Sequence, residues 1–338
     1  MRNLLIFCLF AVVMIFSYDA NATVFRVNNT GVTGVDVYDN FTDAHDAAVV
    51  GDTIYIEGSA ASYGNLSISK QLYVFGSGYN LNVNTGLQAF ANASICGQII
   101  LQAGSAGSKI SGLTLTNYLY IRDQDMVIER NQINRTIFLG DGATQNVSNC
   151  VIKQNFLFNG YNNAGISYSA SAQRGNILIA NNIIQTPISL TGSGASGIII
   201  NNTFRFDSNS WSLNADGFSI INNISANGNV TINAGNSFFN NIGNSTQYPA
   251  GNGNQQNVPG GDVFTLETGS VDNDTYYQTA PGSVAEGTGQ SGEDCGAFGG
   301  GTAYVLSGIP SIPTIYEFVA PATGTNSINV IISTRSNQ

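Results

Sequence analysis

Charged side chains that can carry acid–base chemistry are concentrated between residues 109 and 153. This stretch of 45 residues holds nine charges, about twice the density of the whole chain, in which 9% of residues are charged. Cations beside carboxylates can remove a proton from a carbon acid and stabilise the negative charge that develops. If successive turns of the chain stack here, they form a mixed acid–base patch with six candidate catalytic residues: Arg122, Asp123, Asp125, Arg130, Arg135 and Lys153.

A purely structural role for the same charges is the alternative, and the sequence favours it. Solvent-facing strands carry charge as a protection against aggregation, and Arg–Asp neighbours commonly form ordinary surface pairs. Paired aspartates and a familiar catalytic arginine motif are both missing from the stretch. We therefore predict a binding or structural module rather than an enzyme.

Metal and nucleic-acid chemistry find little support. Residues 272–274, Asp-Asn-Asp, place oxygen ligands in the alternation that suits Ca²⁺, but they lack the further ligands of a full site, and a turn explains them equally well. We predict no cofactor. The net charge is −10, and residues 207–334 contain no Lys or Arg, so we predict no nucleic-acid partner.

The first 22 residues predict export. Arg2 precedes an apolar run over residues 4–16, and Ala20-Asn21-Ala22 is typical of a signal-peptide cleavage site. The run is too short to span a bilayer, and no later stretch approaches that length, so we expect no integral membrane segment after cleavage near Ala22. The predicted location is secreted, extracellular or periplasmic.

Three cysteines and one histidine remain in the mature chain. Cys96, Cys150 and Cys295 are predicted to be buried thiols, with a disulfide between one pair as the alternative. His45 has no evident partner and is predicted to be a surface residue rather than a catalyst.

An Ile-x-x-Asn pattern recurs along the middle of the chain. Its asparagines are 18 to 27 residues apart and close the segments 128–131, 152–155, 179–182, 199–202, 220–223 and, more loosely, 238–241. This period predicts one coil of a parallel β-helix per repeat, since a coil cannot bury its apolar side chains without neighbours. We expect each Asn to adopt a left-handed turn and to hydrogen-bond from coil to coil. A row of ligand-binding amides is the alternative.

The flanking segments predict how the solenoid begins and ends. Residues 42–49 favour a short capping helix with Phe41, Ala44, Ala48 and Val49 on its apolar side, ended by Gly51. Early strands are expected at residues 53–57, 66–69, 72–75 and 99–101. The predicted organisation is a signal peptide (1–22), an all-β, right-handed parallel β-helix of eight or nine coils with its N-terminal cap (23–242), and a C-terminal loop and β cap packed on it (243–338).

Several segments resemble secreted bacterial right-handed β-helix proteins of the pectin-lyase-like type. Residues 44–56 and 66–76 look like the entry from helix to first coil, and residues 281–285 and 294–300 resemble the closing segment. The resemblance implies an architecture that serves lyases, hydrolases, epimerases, adhesins and scaffolds alike. Its lyases use an Arg or Lys base with Ca²⁺ or another cation, and its hydrolases use paired carboxylic acids.

Two functional hypotheses follow. The first is a non-catalytic module that contacts a polysaccharide or cell-envelope glycan, or has a structural role, with Tyr118, Tyr120, Tyr161 and Tyr168 available to stack on sugars or simply to fill the core. The second is a polysaccharide lyase or glycoside hydrolase that acts on an acidic polysaccharide through the charged stretch. An ice-binding face is disfavoured because no Thr-x-Thr array is visible.

Overall fold

Strands separated by one coil of sequence pair in parallel, and this pairing builds three long sheets. A computed structural model describes residues 22–142, 144–158, 165–168, 173–206, 210–266, 273–320 and 328–337. From β5 (Tyr73–Phe75) to β25 (Asn229–Val230) each coil gives one strand in turn to sheets A, C and B, and the sheets form a right-handed parallel β-helix. The predicted fold class is confirmed.

Sheet A has eleven strands. Their spatial order is β2 (Val37–Tyr38), β1 (Val24–Val27), β3 (Thr53–Ile56), β5 (Tyr73–Phe75), β8 (Lys109–Ser111), β11 (Val127–Glu129), β14 (Val151–Lys153), β17 (Ile177–Ala180), β20 (Gly197–Ile200), β23 (Phe218–Ile221) and β26 (Ser237–Phe239).

Sheets B and C have eight strands each. Sheet B contains β4 (Leu66–Ile68), β7 (Ile99–Leu101), β10 (Leu119–Ile121), β13 (Ile137–Leu139), β16 (Ile166–Tyr168), β19 (Ile188–Leu190), β22 (Ser212–Ala215) and β25 (Asn229–Val230). Sheet C contains β6 (Ser94–Cys96), β9 (Leu113–Leu115), β12 (Gln132–Ile133), β15 (Phe156–Leu157), β18 (Ile183–Ile184), β21 (Thr203–Phe204), β24 (Ile224–Ser225) and β27 (Ile242–Gly243).

The core is a set of apolar columns that the register fixes. On sheet A, Ile110 pairs with Ile128, Ile128 with Ile152, and Ile152 with Ile179, and all four side chains are fully buried. Because side chains alternate across a strand, each of these isoleucines points into the core while its two neighbours in the strand point toward the opposite face. Burying each such isoleucine contributes about 2 kcal/mol.

Asparagine amides form a continuous buried ladder at the A–C corner, the turn that joins each sheet A strand to the next sheet C strand. Its members are fully buried at Asn131, Asn155, Asn182, Asn202, Asn223 and Asn241. In each of them Nδ2 donates to Oδ1 of the next member at 2.9–3.2 Å, and that Oδ1 also accepts the backbone N–H of the preceding member. The predicted coil-to-coil bonding is confirmed, and Asn254 adds a seventh member that the Ile-x-x-Asn pattern does not reveal.

The residue before each ladder asparagine adopts the left-handed backbone conformation. The expectation that the same Asn both adopts this conformation and hydrogen-bonds from coil to coil is therefore wrong. The corner residues share φ values between 53° and 76° and are Gly112, Arg130, Gln154, Asn181, Asn201, Asn222 and Asn240. Their side chains point away from the ladder. Left-handed backbone suits Gly and Asn, which explains the frequent Asn-Asn pair at this corner.

The N-terminal cap differs from prediction at its end and at its histidine. Helix α1 (Phe41–Ala47) buries Phe41 and Ala44, whereas Val49 is 66% exposed and lies outside the helix. Nζ of Lys70 donates to the carbonyls of His45 and Ala48 at 2.8 Å, so this ammonium group rather than Gly51 satisfies the helix end.

His45 is buried, not on the surface. Its Nε2 accepts the backbone N–H of Ser69 at 3.2 Å, beside the end of β4. A short helix laid on the first coil brings this ring against strand ends that need partners. The sequence does not show that contact, because His45 and Ser69 are 24 residues apart. Burial lowers the pKa of His45, although its hydrogen bond to Asp46 opposes the change.

Cys96, Cys150 and Cys295 are free and buried, which confirms the thiol prediction. Burial raises the pKa of Cys96 and Cys150 to about 12 and that of Cys295 to about 11. All three therefore behave as small apolar side chains at neutral pH.

Residues after the last coil return along the A–C corner in the direction opposite to the winding. The corner side chains hold the backbone of this return segment in order: Asn240 bonds Thr288, Asn222 bonds Gln290, Asn201 bonds Asp294, Asn181 bonds Ala297 and Gly299, Gln154 bonds Thr302 and Ala303, and Arg130 bonds Ile309. The return segment includes short 3₁₀ turns at Gly260–Asp262, Asp274–Tyr277, Gln290–Gly292 and Leu306–Gly308. The domain boundaries proposed from sequence stay a prediction.

An antiparallel hairpin of β28 (Thr314–Val319) and β29 (Ile331–Arg335) follows. Most of its side chains are exposed. It contacts the loop between β5 and β6, where Ala89 N–H donates to Ile315 O at 2.8 Å. None of the helices that the structure describes combines the length and apolarity needed to traverse a bilayer. The export segment predicted for residues 1–22 lies outside the described residues except for Ala22.

Replacing a ladder amide should destabilise the solenoid strongly. Asn182→Ala removes the acceptor for Asn155 and the donor to Ile152 O, and leaves these buried groups without partners. We expect a loss of about 3 kcal/mol in the free energy of unfolding, measured by urea denaturation. Ser189→Ala, at an exposed position of the same coil, is the control and should change it by less than about 0.5 kcal/mol. Equal effects of the two substitutions would contradict the ladder's role.

Acid should loosen the N-terminal cap through His45. The folded state holds the neutral ring, so its stability contribution is complete above about pH 6.5 and is lost as the pH falls through the lowered folded-state pKa. Hydrogen exchange of the α1 amides should therefore accelerate on acidification from pH 7, after correction for the intrinsic rate. His45→Gln should remove this acceleration, and its persistence in that variant would assign the effect to another group.

Candidate functional site

Sheet B carries an aromatic platform on its outer face, formed by Tyr118, Tyr120 and Phe138. In β10 the flanking Leu119 and Ile121 point into the core, so Tyr120 must point outward, and Phe138 lies directly opposite it in β13. The Tyr120 and Phe138 rings stack with centroids 5.0 Å apart, and Tyr118 contacts them at 6.0 and 5.4 Å. All three rings are only partly buried, so the platform presents aromatic surface to solvent.

Two arginines border the platform. The Arg135 guanidinium lies 5.3 Å from the Tyr118 ring centroid and donates to the Tyr118 hydroxyl at 3.3 Å. The Arg122 guanidinium lies 5.8 Å from the Tyr120 ring centroid. At these distances each cation–π contact contributes about 0.5–1 kcal/mol and fixes the orientation of both groups.

Arg122 is held by a carboxylate and an amide. Its Nε and Nη2 donate to Oδ2 of Asp141 at 3.0 and 2.6 Å, and Nη1 donates to Gln102 at 2.8 Å. Gln145 also donates to Asp141, at 2.8 Å. Burial would raise the pKa of Asp141, but the hydrogen bonds from Arg122 and Gln145 outweigh it and lower this pKa. Asp141 is therefore an ionised partner of Arg122 and a poor proton donor.

The six candidate residues do not form one patch. Only Arg122 and Arg135 lie at the platform. Asp123 accepts the backbone N–H groups of Gly104 and Ala106 at 2.8 and 3.2 Å, in the turn from sheet B to sheet A. Asp125, in the same turn, has a φ of 60° and accepts from Asn149 at 2.9 Å.

The other two candidates lie elsewhere on the coil, one at the A–C corner and one on sheet A. Arg130 is a corner residue that is buried and donates to Gln154 and to Ile309 O of the return segment. Lys153 is on the outer face of sheet A, where Nζ lies 3.3 Å from Glu129, which also pairs with Lys109 at 2.6 Å. Burial would raise the pKa of Glu129, but the two ammonium groups outweigh it and lower this pKa.

Among the described residues no cluster of three or more His, Cys, Asp or Glu side chains can hold a metal. Of the residues 272–274, Asp272 lies outside that part of the chain. Asp274 is fully buried and accepts from Tyr304, Asn84 and the Ser307 N–H, and burial raises its pKa. Its contacts are those of a structural carboxyl group that joins the return segment to the loop after β5.

Sequence reasoning identified two platform residues and missed the third. The sequence suggests Tyr118 and Tyr120 either as sugar-stacking residues or as core residues, and it does not single out Phe138. The signal for Phe138 is the match between Leu119-Tyr120-Ile121 and Ile137-Phe138-Leu139, one coil apart in the sequence. Tyr168 lies against Arg174 at 4.6 Å with its hydroxyl buried, and Tyr161 lies outside the described residues.

Comparison with solved structures finds a crystal structure of pectate lyase Pel9A. It is 10% identical in sequence, the alignment covers 82% of this chain and 96% of that chain, and the TM-score is 0.38. No protein-family model and no curated protein matches the sequence. The stacked parallel sheets themselves confirm the predicted β-helix class. Fold class alone does not define an activity.

Asp123 provides a test of structural against catalytic assignment. Asp123→Ala removes the acceptor of two backbone N–H groups in a solvated turn, so we expect unfolding to become easier by about 1 kcal/mol. Asp123→Asn keeps an acceptor oxygen and should lose less. A loss of polysaccharide-cleaving activity in both variants, with an unchanged urea midpoint, would contradict the structural assignment.

Proposed function

We propose that this protein is an extracellular β-helix that binds a polysaccharide or cell-envelope glycan on the outer face of sheet B without cleaving it. The observation that carries the proposal is the partly exposed platform of Tyr118, Tyr120 and Phe138 with arginines at its border. Aromatic faces offer apolar surface to the C–H faces of sugar rings, and their phenol groups offer hydrogen bonds.

The surface beyond the platform suits a chain-like ligand. The outward positions in register with Tyr120 and Phe138 continue along sheet B as Ser167, Ser189 and Asn214. Neighbouring strands are about 4.8 Å apart, so small polar side chains recur at a constant spacing along the solenoid axis. A polymer that lies along this axis would meet the platform first and then a row of hydroxyl and amide groups.

The charge near the platform favours an anionic glycan. Residues 109–153 carry five cations and four anions, a net charge of +1, whereas the whole chain carries −10. The rest of the chain is therefore at −11. Acidic sugars would be attracted to Arg122 and Arg135, the two cations of this stretch that lie at the platform.

Binding without cleavage is favoured because the charged groups at the platform are already engaged with one another. Asp141 accepts hydrogen bonds from Arg122 and Gln145. Arg122 donates three hydrogen bonds, two to Asp141 and one to Gln102. Hydrolysis requires a second carboxyl group facing the same substrate. The nearest candidates by sequence, Asp123 and Asp125, accept hydrogen bonds from turn residues of the neighbouring coils.

A lyase is the second candidate function, because Arg122 and Asp141 do form an acid–base pair beside the platform. Elimination would require Arg122 to leave Asp141 and give up one proton to solvent before its neutral guanidine could accept the proton of the substrate. Export remains part of the proposal and is supported by the apolar run at residues 4–16 followed by Ala20-Asn21-Ala22.

Affinity electrophoresis of the purified protein in gels containing acidic or neutral polysaccharides tests the proposal. We expect retardation by an acidic polysaccharide such as polygalacturonate, and about tenfold weaker binding for Tyr120→Ala and Phe138→Ala, which corresponds to about 1.4 kcal/mol. Ile198→Ala, an exposed position of sheet A, is the matched control and should bind as the parent does.

The same incubations distinguish binding from catalysis. New ultraviolet-absorbing unsaturated ends would show a lyase, and new reducing ends without that absorbance would show a hydrolase. Either product, or binding that the platform substitutions leave unchanged, would overturn the proposal.

A further inference from the structure

A cleft opens on a different face of the molecule, between the outer face of sheet A and the C-terminal hairpin. It encloses about 470 Å³ and adjoins a second hollow of about 310 Å³, and the two share Tyr55, Gln88, Phe90 and Ile315 in their walls. This size lies in the range of small-ligand sites.

The walls of the cleft are fixed by contacts between distant parts of the chain. The Ala89 N–H donates to Ile315 O at 2.8 Å, and Arg335 donates to Leu87 O at 2.7 Å. The Phe90 and Phe318 rings lie 6.2 Å apart. These three contacts join the loop after β5 to both strands of the hairpin, so the cleft has a defined shape before any ligand enters.

One end of the cleft carries two charged side chains of opposite sign. Arg26 and Glu57 form an ion pair, in which Nε donates to Oε1 at 2.6 Å, and Asn28 donates to Oε2 at 2.5 Å. The other described residues around the cavity are uncharged. The charge of the Glu57 carboxylate is therefore neutralised by Arg26 within the site. An anionic or cationic ligand would have to break that ion pair.

The other walls offer aromatic surface together with unused polar capacity. Phe90 is 66% exposed, and Tyr55 projects from β3 beside Arg26 of β1. The Tyr55 hydroxyl makes no hydrogen bond with any described residue, and because burial raises the pKa of Tyr55 to about 12 it stays a neutral donor and acceptor. Gln88, another wall residue, donates from Nε2 to Ser77 O, and its amide oxygen accepts no hydrogen bond from a described residue.

We propose that this cleft is a second binding site, for one neutral pyranose unit of a glycan. The ring would pack its C–H face on Phe90, and its hydroxyl groups would bond Tyr55, Gln88 and the Arg26–Glu57 pair. Apolar walls with a few placed polar groups are typical of such sites. The site is independent of the platform on sheet B, because it shares no residue with it.

Saturation-transfer NMR tests this assignment with the full chain and a set of neutral tetrasaccharides built from glucose, galactose, mannose, xylose and N-acetylglucosamine. We expect at least one to bind, with at least fivefold weaker binding in Phe90→Ala and in Tyr55→Phe. Both variants change partly exposed groups without opening the core. Ile198→Ala, an exposed position of sheet A outside both sites, is the control and should leave this binding unchanged. Tyr120→Ala reports separately on the platform.

Each other outcome rejects the second site. Binding of none of the neutral tetrasaccharides, or binding that survives both cleft substitutions, overturns it. Stronger cleft-dependent binding of tetragalacturonate than of any neutral sugar overturns the neutral class. Loss of neutral binding in Tyr120→Ala would assign it to the platform, so failure of the cleft and failure of the platform give different results.

Discussion

The buried asparagine ladder is the interaction on which the rest of the molecule depends. A coil that turns from sheet A to sheet C must leave backbone groups and a side chain in the apolar interior, where an unpaired amide costs about 1–3 kcal/mol. Each ladder asparagine meets this requirement twice, because Nδ2 and Oδ1 bond both the neighbouring amide and the neighbouring backbone. These hydrogen bonds form only if every coil turns at the same position in its repeat, so the ladder keeps the coils in register.

The register of the strands determines which side chains lie next to one another on the outer faces of the sheets. Tyr120 and Phe138 stack because β10 and β13 are aligned residue by residue, and a shift by one residue would bury the rings and expose isoleucines. The same alignment places Glu129 between two lysines on sheet A. Charged residues that are neighbours in the sequence can therefore lie in different surroundings. Glu129 pairs with lysines on sheet A, whereas Arg130 contacts the return segment at the A–C corner.

The ladder and the return segment share the corner, and this explains the Asn-Asn pairs. The second Asn points inward and bonds other coils, whereas the first adopts left-handed backbone and offers its amide outward to the return segment. Arg130 and Gln154 stand in the first position of their coils and reach backbone carbonyls of the same segment. The charge of Arg130 thus serves attachment of the return segment, although its sequence neighbours suggested a catalytic patch.

The sequence predicts local and periodic features well and distant contacts poorly. The coil period, the ladder and the buried thiols follow from spacing and residue type, which depend on one coil and its neighbours. The burial of His45, the bond between Arg130 and Ile309, and the cleft beside Phe90 join residues 24 to more than 200 positions apart. Nothing in the local pattern encodes those contacts. The platform falls between these cases, since two of its rings were recognised and the third needed the register.

Hydrogen–deuterium exchange read along the whole chain tests the central claim, that aligned coils are held by the ladder. The account predicts slow exchange that recurs with every coil, strongest at the ladder asparagines and the sheet A strands before them, with the return segment protected alongside them. Protection confined to one short region, or rapid exchange of the ladder amides while other strands stay protected, would contradict it.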